Sequence, residues 1–290
     1  MEFRSHESVE ETLGCLSELG DDAQVLAGGT DVMLQYQRGE LRPAALVHIE
    51  RIAELAEIAV ANGSVTLGAL ATHRAVVRDA RLSTRLPALG EACATVGGWQ
   101  TQEFGTVAGN VCNASPAADT IPPLLAAGAV LELSSRRGTR SVPLDEFVLG
   151  RRRTAREPDE LVTAIRVESV PPGGGEVYLK VAPRSAMEVA LVGLAVRLRL
   201  GDDGMVAEAR IAACSVAPVP LRATVAEQAL AGSRLEPERV AEAAAALGQL
   251  AEPIDDARAT SAYRRRVLGP LLERAVAITR RRAGGPSAWS

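Results

Sequence analysis

The sequence predicts an α+β protein, and three observations support this prediction. Residues 1–50 alternate helical and strand-like patterns, as a small α/β unit does. From residue 52 onward, hairpin patterns alternate with helices. After a Pro- and Gly-rich stretch at residues 171–175, the chain runs as strands followed by helices, which indicates a sheet followed by a helical bundle. With 290 residues the chain is long enough for two domains.

The N-terminal unit is predicted from the spacing of its apolar residues. Residues 7–19 carry Val and Leu at helical intervals on one face, and residues 23–27 read as a short strand. A second helix is predicted over residues 31–38 and a second strand over residues 44–49. A glycine-containing stretch at residues 25–32, the first of two in the chain, joins that first strand to the second helix.

The following segment is predicted from its turn and cap residues. Residues 58–68 read as a β-hairpin because Asn62-Gly63 suits a tight turn. A helix is predicted over residues 86–96, and a loop over residues 97–104, which show no clear period. Pro116 permits a helix start with Ser115 as its N-cap.

The rest of the chain is predicted as strands and then helices. The stretch at residues 171–175 is either a linker or a hairpin tip. Strands are predicted at residues 129–133, 161–167, 177–182, 189–200 and 206–216, and helices at residues 223–230, 237–250 and 261–282.

Composition excludes several classes of function. The net charge of −4 is unlike that of DNA- and RNA-binding proteins, so we expect no nucleic-acid partner. The chain has no apolar run of about 18 residues, so we expect no membrane span. The N-terminus lacks the basic start and apolar run of a secretory signal, so we expect a cytoplasmic protein.

The reactive residue types form no catalytic or metal-binding pattern. The four cysteines, at positions 15, 93, 112 and 214, lack the spacing of a zinc or iron–sulfur site and are typical of small buried side chains. The three histidines are scattered. We therefore expect no catalytic and no metal-ligating residue, and a chain whose chemistry comes from a cofactor.

Two glycine stretches are the candidate site for that cofactor. Residues 25–32 contain Gly28-Gly29, and residues 105–110 contain Gly105 and Gly109; both are predicted as short loops flanked by apolar, strand-like residues. Glycine lets backbone N–H groups approach a ligand closely, and successive N–H groups can bind phosphate. A single Gly-Gly pair more often marks a plain turn, but two similar stretches indicate a diphosphate held from two sides. The basic run at residues 151–153 is either a solvated face or a contact for anions or a partner chain.

These stretches carry a family resemblance. The motif residues lie at 27–31, 105–110, 113–119, 152–154, 160–165, 217–223 and 253–265. Together they cover almost the whole chain and resemble the FAD-binding medium subunit of molybdenum hydroxylases, the xanthine dehydrogenase and carbon monoxide dehydrogenase family. The resemblance implies a vanillyl-alcohol-oxidase-like, PCMH-type FAD-binding domain at residues 1–174, with two α/β subdomains at about 1–52 and 53–174. It implies a C-terminal domain at residues 175–290, a three-stranded antiparallel sheet with a helical bundle.

The resemblance also implies which residues bind FAD. The first glycine stretch contributes Val25, Leu26, Ala27, Gly28, Gly29, Thr30, Asp31 and Val32. The second contributes Thr106, Gly109 and Asn110 to the diphosphate region, with Asn113 and Ser115 close by. Asp119 matches a residue that binds the adenosine ribose hydroxyls, Val162 and Lys180 match contacts on the flavin side, and Val96 matches a weaker contact.

The sequence departs from the family at two places. Ala108 replaces the first glycine of a usual pair, and its methyl group is acceptable only if its φ is negative. Gln102-Glu103 stands where an Arg-Asn pair is frequent, so an anion replaces a cation near the cofactor or the partner's cluster. This change bears on the local contact and on the flavin potential.

The function implied by the resemblance is electron transfer within a heterotrimer, present as a dimer of heterotrimers. A large subunit would hold the molybdenum–pterin, and a small subunit would hold two [2Fe–2S] clusters that pass electrons to FAD in this chain. The external acceptor would be NAD⁺, oxygen or a quinone. Two alternatives remain open: a self-contained FAD-dependent oxidase or reductase of the same fold, and a module without enzymatic activity.

Overall fold

A parallel three-stranded sheet forms the N-terminal unit of the computed structural model, which describes residues 1–284. Its elements are β1 (Glu2–Ser5), α1 (Val9–Leu19), β2 (Ala23–Leu26), α2 (Val32–Gln37) and β3 (Ala45–His48). Strand β3 lies between β1 and β2 and is parallel to both. Strand β1 was not predicted, because its residues are mostly exposed and carry no apolar alternation.

An antiparallel five-stranded sheet forms the second unit, in the order β4-β5-β10-β6-β7. Its strands, with a separate short hairpin of β8 and β9, are β4 (Ile58–Ala61), β5 (Ser64–Gly68), β6 (Val130–Ser135), β7 (Gly138–Pro143), β8 (Val148–Gly150), β9 (Arg153–Thr154) and β10 (Leu161–Glu168). Its helices are α3 (His73–Arg78), α4 (Leu82–Arg85), α5 (Pro87–Thr95), α6 (Trp99–Phe104), α7 (Val107–Cys112), α8 (Ile121–Ala126) and α9 (Leu144–Phe147). The predicted hairpin at residues 58–68 is present, with Asn62 and Gly63 at positive φ.

Three local predictions in this unit were wrong. Residues 97–104 contain helix α6, where the buried Gln102 donates from Nε2 to the carbonyl oxygens of Ala94 and Val96. This stabilisation comes from a neighbouring segment, so periodicity alone did not reveal it. The second glycine stretch continues into helix α7 instead of forming a loop between strands. No helix starts at Pro116; residues 113–120 form turns, and α8 starts at Ile121.

An antiparallel sheet and three helices form the C-terminal part. The sheet has three long strands, as predicted, and a two-residue fourth strand at its edge. Its elements are β11 (Gly174–Val181), β12 (Val192–Leu200), β13 (Val206–Cys214), β14 (Leu221–Arg222), α10 (Thr224–Leu230), α11 (Pro237–Leu250) and α12 (Ser261–Arg282). Strand β11 starts at Gly174, so the stretch at residues 171–175 turns directly into the sheet. The last residues of the predicted C-terminal domain, 285–290, lie outside the described part.

Two large hydrophobic cores fill the molecule. One lies under the N-terminal and middle sheets, and the other lies between the C-terminal sheet and its helices. A small third cluster joins them, where Ala88 and Ala92 of α5 and Ala126 of α8 pack against Tyr178 and Ala195 of the C-terminal sheet. Within residues 1–284, no helix combines the length and apolar character that a membrane crossing requires.

Candidate cofactor site

A cavity of about 750 Å³ lies between the two glycine stretches. Its volume falls in the range of small-molecule and cofactor sites. The C-terminal part closes one side of the cavity with residues 187–189. The predicted cofactor-binding residues of both glycine stretches therefore converge on one space, with the exception of Leu26, whose side chain is buried beside it.

The two glycine stretches touch at Gly28. A Cβ atom on Gly28 would overlap the carbonyl oxygen of Phe104, and only glycine permits this approach. Gly105 is similarly confined, since a Cβ there would lie 2.8 Å from the carbonyl oxygen of Thr101. The contact brings the backbone that follows β2 against the backbone at the end of α6, beside a single cavity.

The second stretch is held by a side-chain cap. Thr106 is the N-cap of α7, and its Oγ1 accepts from the backbone N–H of Gly109 at 2.9 Å. Ala108 lies inside α7, outside the set of positive-φ residues, so its methyl group is compatible with the backbone. The replacement of glycine by Ala108 is therefore acceptable at this position.

Two amide side chains connect the second stretch to its surroundings. The Oδ1 atom of Asn110 accepts from the Thr120 hydroxyl at 2.6 Å. The Oδ1 atom of Asn113 accepts from Nε2 of Gln35 at 2.9 Å. Because Gln35 lies on α2, which follows the first glycine stretch, this second bond also fixes the two walls of the cavity relative to each other.

Asp119 forms a buried polar cluster with two residues of the C-terminal sheet. Its side chain lines the cavity and is almost fully buried. Oδ1 accepts from the Tyr178 hydroxyl at 2.5 Å, and Oδ2 accepts from Nζ of Lys180 at 2.9 Å. Burial raises the pKa of the Asp119 carboxyl, while Lys180 and the Tyr178 hydroxyl act in the opposite direction.

This cluster joins two of the predicted cofactor-binding residues, Asp119 and Lys180. The resemblance assigned Asp119 to the adenosine ribose and Lys180 to the flavin side, and the ion pair brings the two side chains together. Lys180 is not itself a cavity-lining residue; it reaches the site through Asp119 and also donates to the carbonyl oxygen of Thr95 at 3.0 Å. The adjacent Val96 lines the cavity, as does Val162.

The unusual pair Gln102-Glu103 lies outside the cavity wall. Gln102 is buried in contacts with backbone carbonyls of the preceding segment. The Glu103 carboxylate is paired with Arg78 at 2.9 Å and lies 3.7 Å from Nε of Arg74. The anion that replaces a cation in this family is therefore neutralised locally and does not face the cavity.

Arg152 and His73 are among the cavity-lining residues that were not predicted. Arg152, at positive φ, donates from Nη1 to Glu40 at 2.6 Å, and its backbone N–H donates to Ala114. All three arginines of the basic run are exposed, and Arg152 also lines the cavity, so the position of the run was a usable signal. His73 lines the cavity and carried no signal, because a lone histidine in a helical pattern is indistinguishable from a core residue.

The described residues 1–284 contain no group of three His, Cys, Asp or Glu side chains arranged to hold a metal ion. Cys112 lines the cavity, but burial raises the pKa of its thiol to about 11, so it is not a nucleophile at neutral pH. Burial also raises the pKa of Cys214 to about 12. The arrangement can bind and orient a cofactor.

Comparison with known protein families assigns both halves of the chain. Residues 1–169 match the FAD binding domain in molybdopterin dehydrogenase, and residues 177–279 match the CO dehydrogenase flavoprotein C-terminal domain. The fold and the cavity thus define a flavin-binding protein, and the PCMH-type α+β fold is confirmed. FAD is the cofactor that this domain binds.

Comparison with individual proteins shows which group of flavin-binding proteins the chain resembles. The chain is 31% identical to the xanthine dehydrogenase FAD-binding subunit of Escherichia coli O157:H7, with 98% of each chain covered. It is 32% identical to the carbon monoxide dehydrogenase medium chain of Hydrogenophaga pseudoflava, with 95% of each covered. The structure matches a carbon monoxide dehydrogenase from that organism, which lacks the Mo-pyranopterin moiety, with a TM-score of 0.94 and 33% identity over 97% of this chain and 98% of that one. The chain belongs to the family of FAD-binding medium subunits of molybdenum hydroxylases, which are oxidoreductases.

Proposed function

We propose that this chain is the FAD-carrying electron-transfer subunit of a heterotrimeric molybdenum hydroxylase. It takes electrons from the [2Fe–2S] clusters of a small subunit, while a large subunit holds the molybdenum–pterin, and it passes them to NAD⁺, oxygen or a quinone. The assembly is a dimer of such heterotrimers. The observation that supports the role of this chain is the single cavity walled by both glycine stretches and Asp119. Bound FAD would supply the capacity to accept and release electrons.

The residues present fit FAD. The backbone N–H groups of Gly29 and Thr30 make no hydrogen bond within residues 1–284 and lie in the cavity wall, so they are available to phosphate oxygens. Gly28 keeps this wall in contact with the second stretch, and Thr106 fixes the backbone N–H of Gly109. The diphosphate therefore belongs between the two stretches.

We assign Asp119 and Lys180 to the flavin half of the cofactor. Lys180 matches a flavin-side contact of the family, and its Nζ donates to the carbonyl oxygen of Thr95, which precedes the cavity-lining Val96. Asp119 is bound to Lys180 and therefore shares this location. Its carboxylate keeps lone pairs that can accept from the ribityl hydroxyls of the cofactor, a role that replaces its assignment to the adenosine ribose.

We also propose that the chain divides into residues 1–174 and 175–290. The two large hydrophobic cores lie on either side of this division, which falls at the start of β11. The cavity then has walls from both domains, because residues 187–189 and the Lys180 contact come from the second.

The experiment uses the chain together with its partner subunits. The small iron–sulfur subunit is reduced, freed of reductant and mixed anaerobically with the FAD-loaded chain, and flavin absorbance is followed. Bleaching of the flavin is expected. Failure of the chain to retain FAD, or turnover of substrate by the chain alone, would overturn the proposal, and the second outcome would establish a self-contained flavoenzyme.

A further inference from the structure

We infer that His73 is a cofactor-binding residue whose imidazole hydrogen-bonds a phosphate oxygen of FAD between the two glycine stretches. This inference rests on the proposed function, because it requires that the cavity take FAD. The residue lies on α3, outside both stretches, and no sequence motif assigned it a role.

The backbone fixes the position of His73. Its N–H donates to the carbonyl oxygen of Gly105 at 3.0 Å, and the preceding Thr72 forms a β-bridge with Thr106. The His73 ring is thus held against the second glycine stretch at the point where that stretch meets the first.

Three groups converge at this point. A Cβ atom built on Gly105 would lie 3.2 Å from Cδ2 of His73 and 3.3 Å from Oγ1 of Thr30. Thr30 belongs to the first stretch, and all three residues line the cavity. The imidazole therefore occupies the junction of the two stretches, which is where the diphosphate is proposed to bind.

The ring lacks the partners that a buried imidazole requires. His73 is only 2% exposed, and Nδ1 has no hydrogen-bond partner within residues 1–284. Buried polar groups in proteins are almost always paired. Nδ1 is enclosed by protein, and placing the single ring proton on Nε2 leaves Nδ1 without an N–H to satisfy. Nε2 is bonded to Cδ2, the ring atom nearest Gly105, so this tautomer presents its donor at the junction of the two stretches.

The surroundings keep this imidazole neutral before the cofactor binds. Burial lowers the pKa of His73 to about 4, and no charged side chain contributes to the shift. On the elements packed against His73, Glu103 pairs with Arg74 and Arg78, Glu91 pairs with Arg282, and Arg85 donates to the carbonyl oxygen of Arg81. The carboxylates of Asp31 and Asp119 line the same cavity but do not contribute to the shift. A phosphate bound at Nε2 would place an anion directly against the ring, and an adjacent anion favours the protonated form. FAD binding is therefore expected to raise the pKa of His73 and to tighten as the pH falls.

The test is an NMR titration of the full-length chain labelled with ¹⁵N-histidine. The three histidines give few signals, which the variants His6→Gln, His48→Gln and His73→Gln assign. Addition of FAD is expected to shift the ring signals of His73 and to raise its pKa. Unmoved His73 signals in a chain that binds FAD would overturn the inference. A shift without a rise in pKa would overturn the phosphate contact, because a neutral hydroxyl does not favour protonation.

Affinity measurements give an independent readout. His73→Leu, which removes the donor, should weaken FAD binding about 10- to 100-fold, whereas His73→Gln, which keeps an N–H, should recover most of it. The matched control is His6→Gln, because His6 also has a buried ring nitrogen without a partner but does not line the cavity. Wild-type affinity in a folded His73→Leu variant would overturn the inference alone. Failure of the wild-type chain to bind FAD would overturn the proposed function as well.

Discussion

The ammonium group of Lys180 lies 2.9 Å from the carboxylate of Asp119, across a separation of 61 residues in the sequence. Lys180 is the only lysine of the chain, and both side chains are almost fully buried. The pair connects the cavity wall to the C-terminal sheet. The two charges stabilise the folded chain only as a pair, because burying either charge without the other would cost free energy.

Lys180→Met is therefore expected to lower the free energy of unfolding by about 3 kcal/mol or more, since it leaves the Asp119 carboxylate buried without its cation. Urea denaturation of the apo chain measures the loss. Lys180→Arg, which keeps the charge, is the control and should retain more of the stability. A Lys180→Met variant as stable as wild type would show that the pair contributes nothing.

Asp119→Ala is expected to weaken FAD binding by about 1–3 kcal/mol, because a charged acceptor beside the cofactor is lost. Fluorescence titration with FAD measures the change. Tyr178→Phe removes only the hydroxyl that donates to Asp119 and should produce a smaller loss. Unchanged affinity in Asp119→Ala would remove this residue from the site.

Gly28→Ala should destabilise the chain by about 3 kcal/mol or more and abolish FAD retention, because its methyl group would collide with the backbone of Phe104. Gly90→Ala is the matched control. It lies in α5 with no atom near the added methyl, and the change should stabilise by about 0.5–1 kcal/mol. Thermal unfolding and FAD content distinguish the two, and normal FAD content in Gly28→Ala would contradict the described contact.

Glu176 predicts a specific pH dependence of stability. Burial raises the pKa of its carboxyl to about 7, despite its contact with Arg197. The raised folded-state pKa stabilises the folded chain fully below the ordinary value of 4.5, and this stabilisation is lost as the pH rises through about 7. Glu176→Gln should flatten the dependence between these values. Denaturation midpoints across the range test this, and an unchanged slope in the variant would exclude Glu176 as its source.

Glu103→Gln should leave FAD affinity unchanged, because Glu103 is paired with Arg78 outside the cavity. The flavin reduction potential should also stay the same. A spectroelectrochemical titration of both proteins compares the potentials, and a clear difference would mean that this departure from the family does act on the flavin.

The sequence predicted the parts of the site that depend on backbone chemistry. The two glycine stretches were recognised from the sequence, and both line the cavity. The sequence also indicated that Ala108 is acceptable if its φ is negative, and Ala108 is not among the positive-φ residues. Patterns of apolar spacing likewise located most long strands and helices, because those elements bury one continuous face.

The remaining differences come from contacts outside the element concerned. In helix α6, Gln102 bonds to carbonyl oxygens of the preceding segment, and such bonds leave no period in the sequence. The contact of Asp119 with Lys180 depends on how the C-terminal sheet packs against the preceding part of the chain, so matching positions one by one could not reveal it. His73 was missed because what distinguishes it is its burial and its unpaired Nδ1 atom, and neither can be recognised from the residues next to it in the sequence.

The contact between Gly28 and Phe104 bears on the order in which the chain folds and takes up its cofactor. Neither glycine stretch forms a site by itself, and the Lys180 contact comes from a third segment, so a partly folded chain would have no place for FAD. Cofactor loading would then follow assembly of the two domains and, by mass action, hold them together. A cell that runs short of flavin would be expected to accumulate a looser chain whose domains separate more readily and expose their joint to proteases.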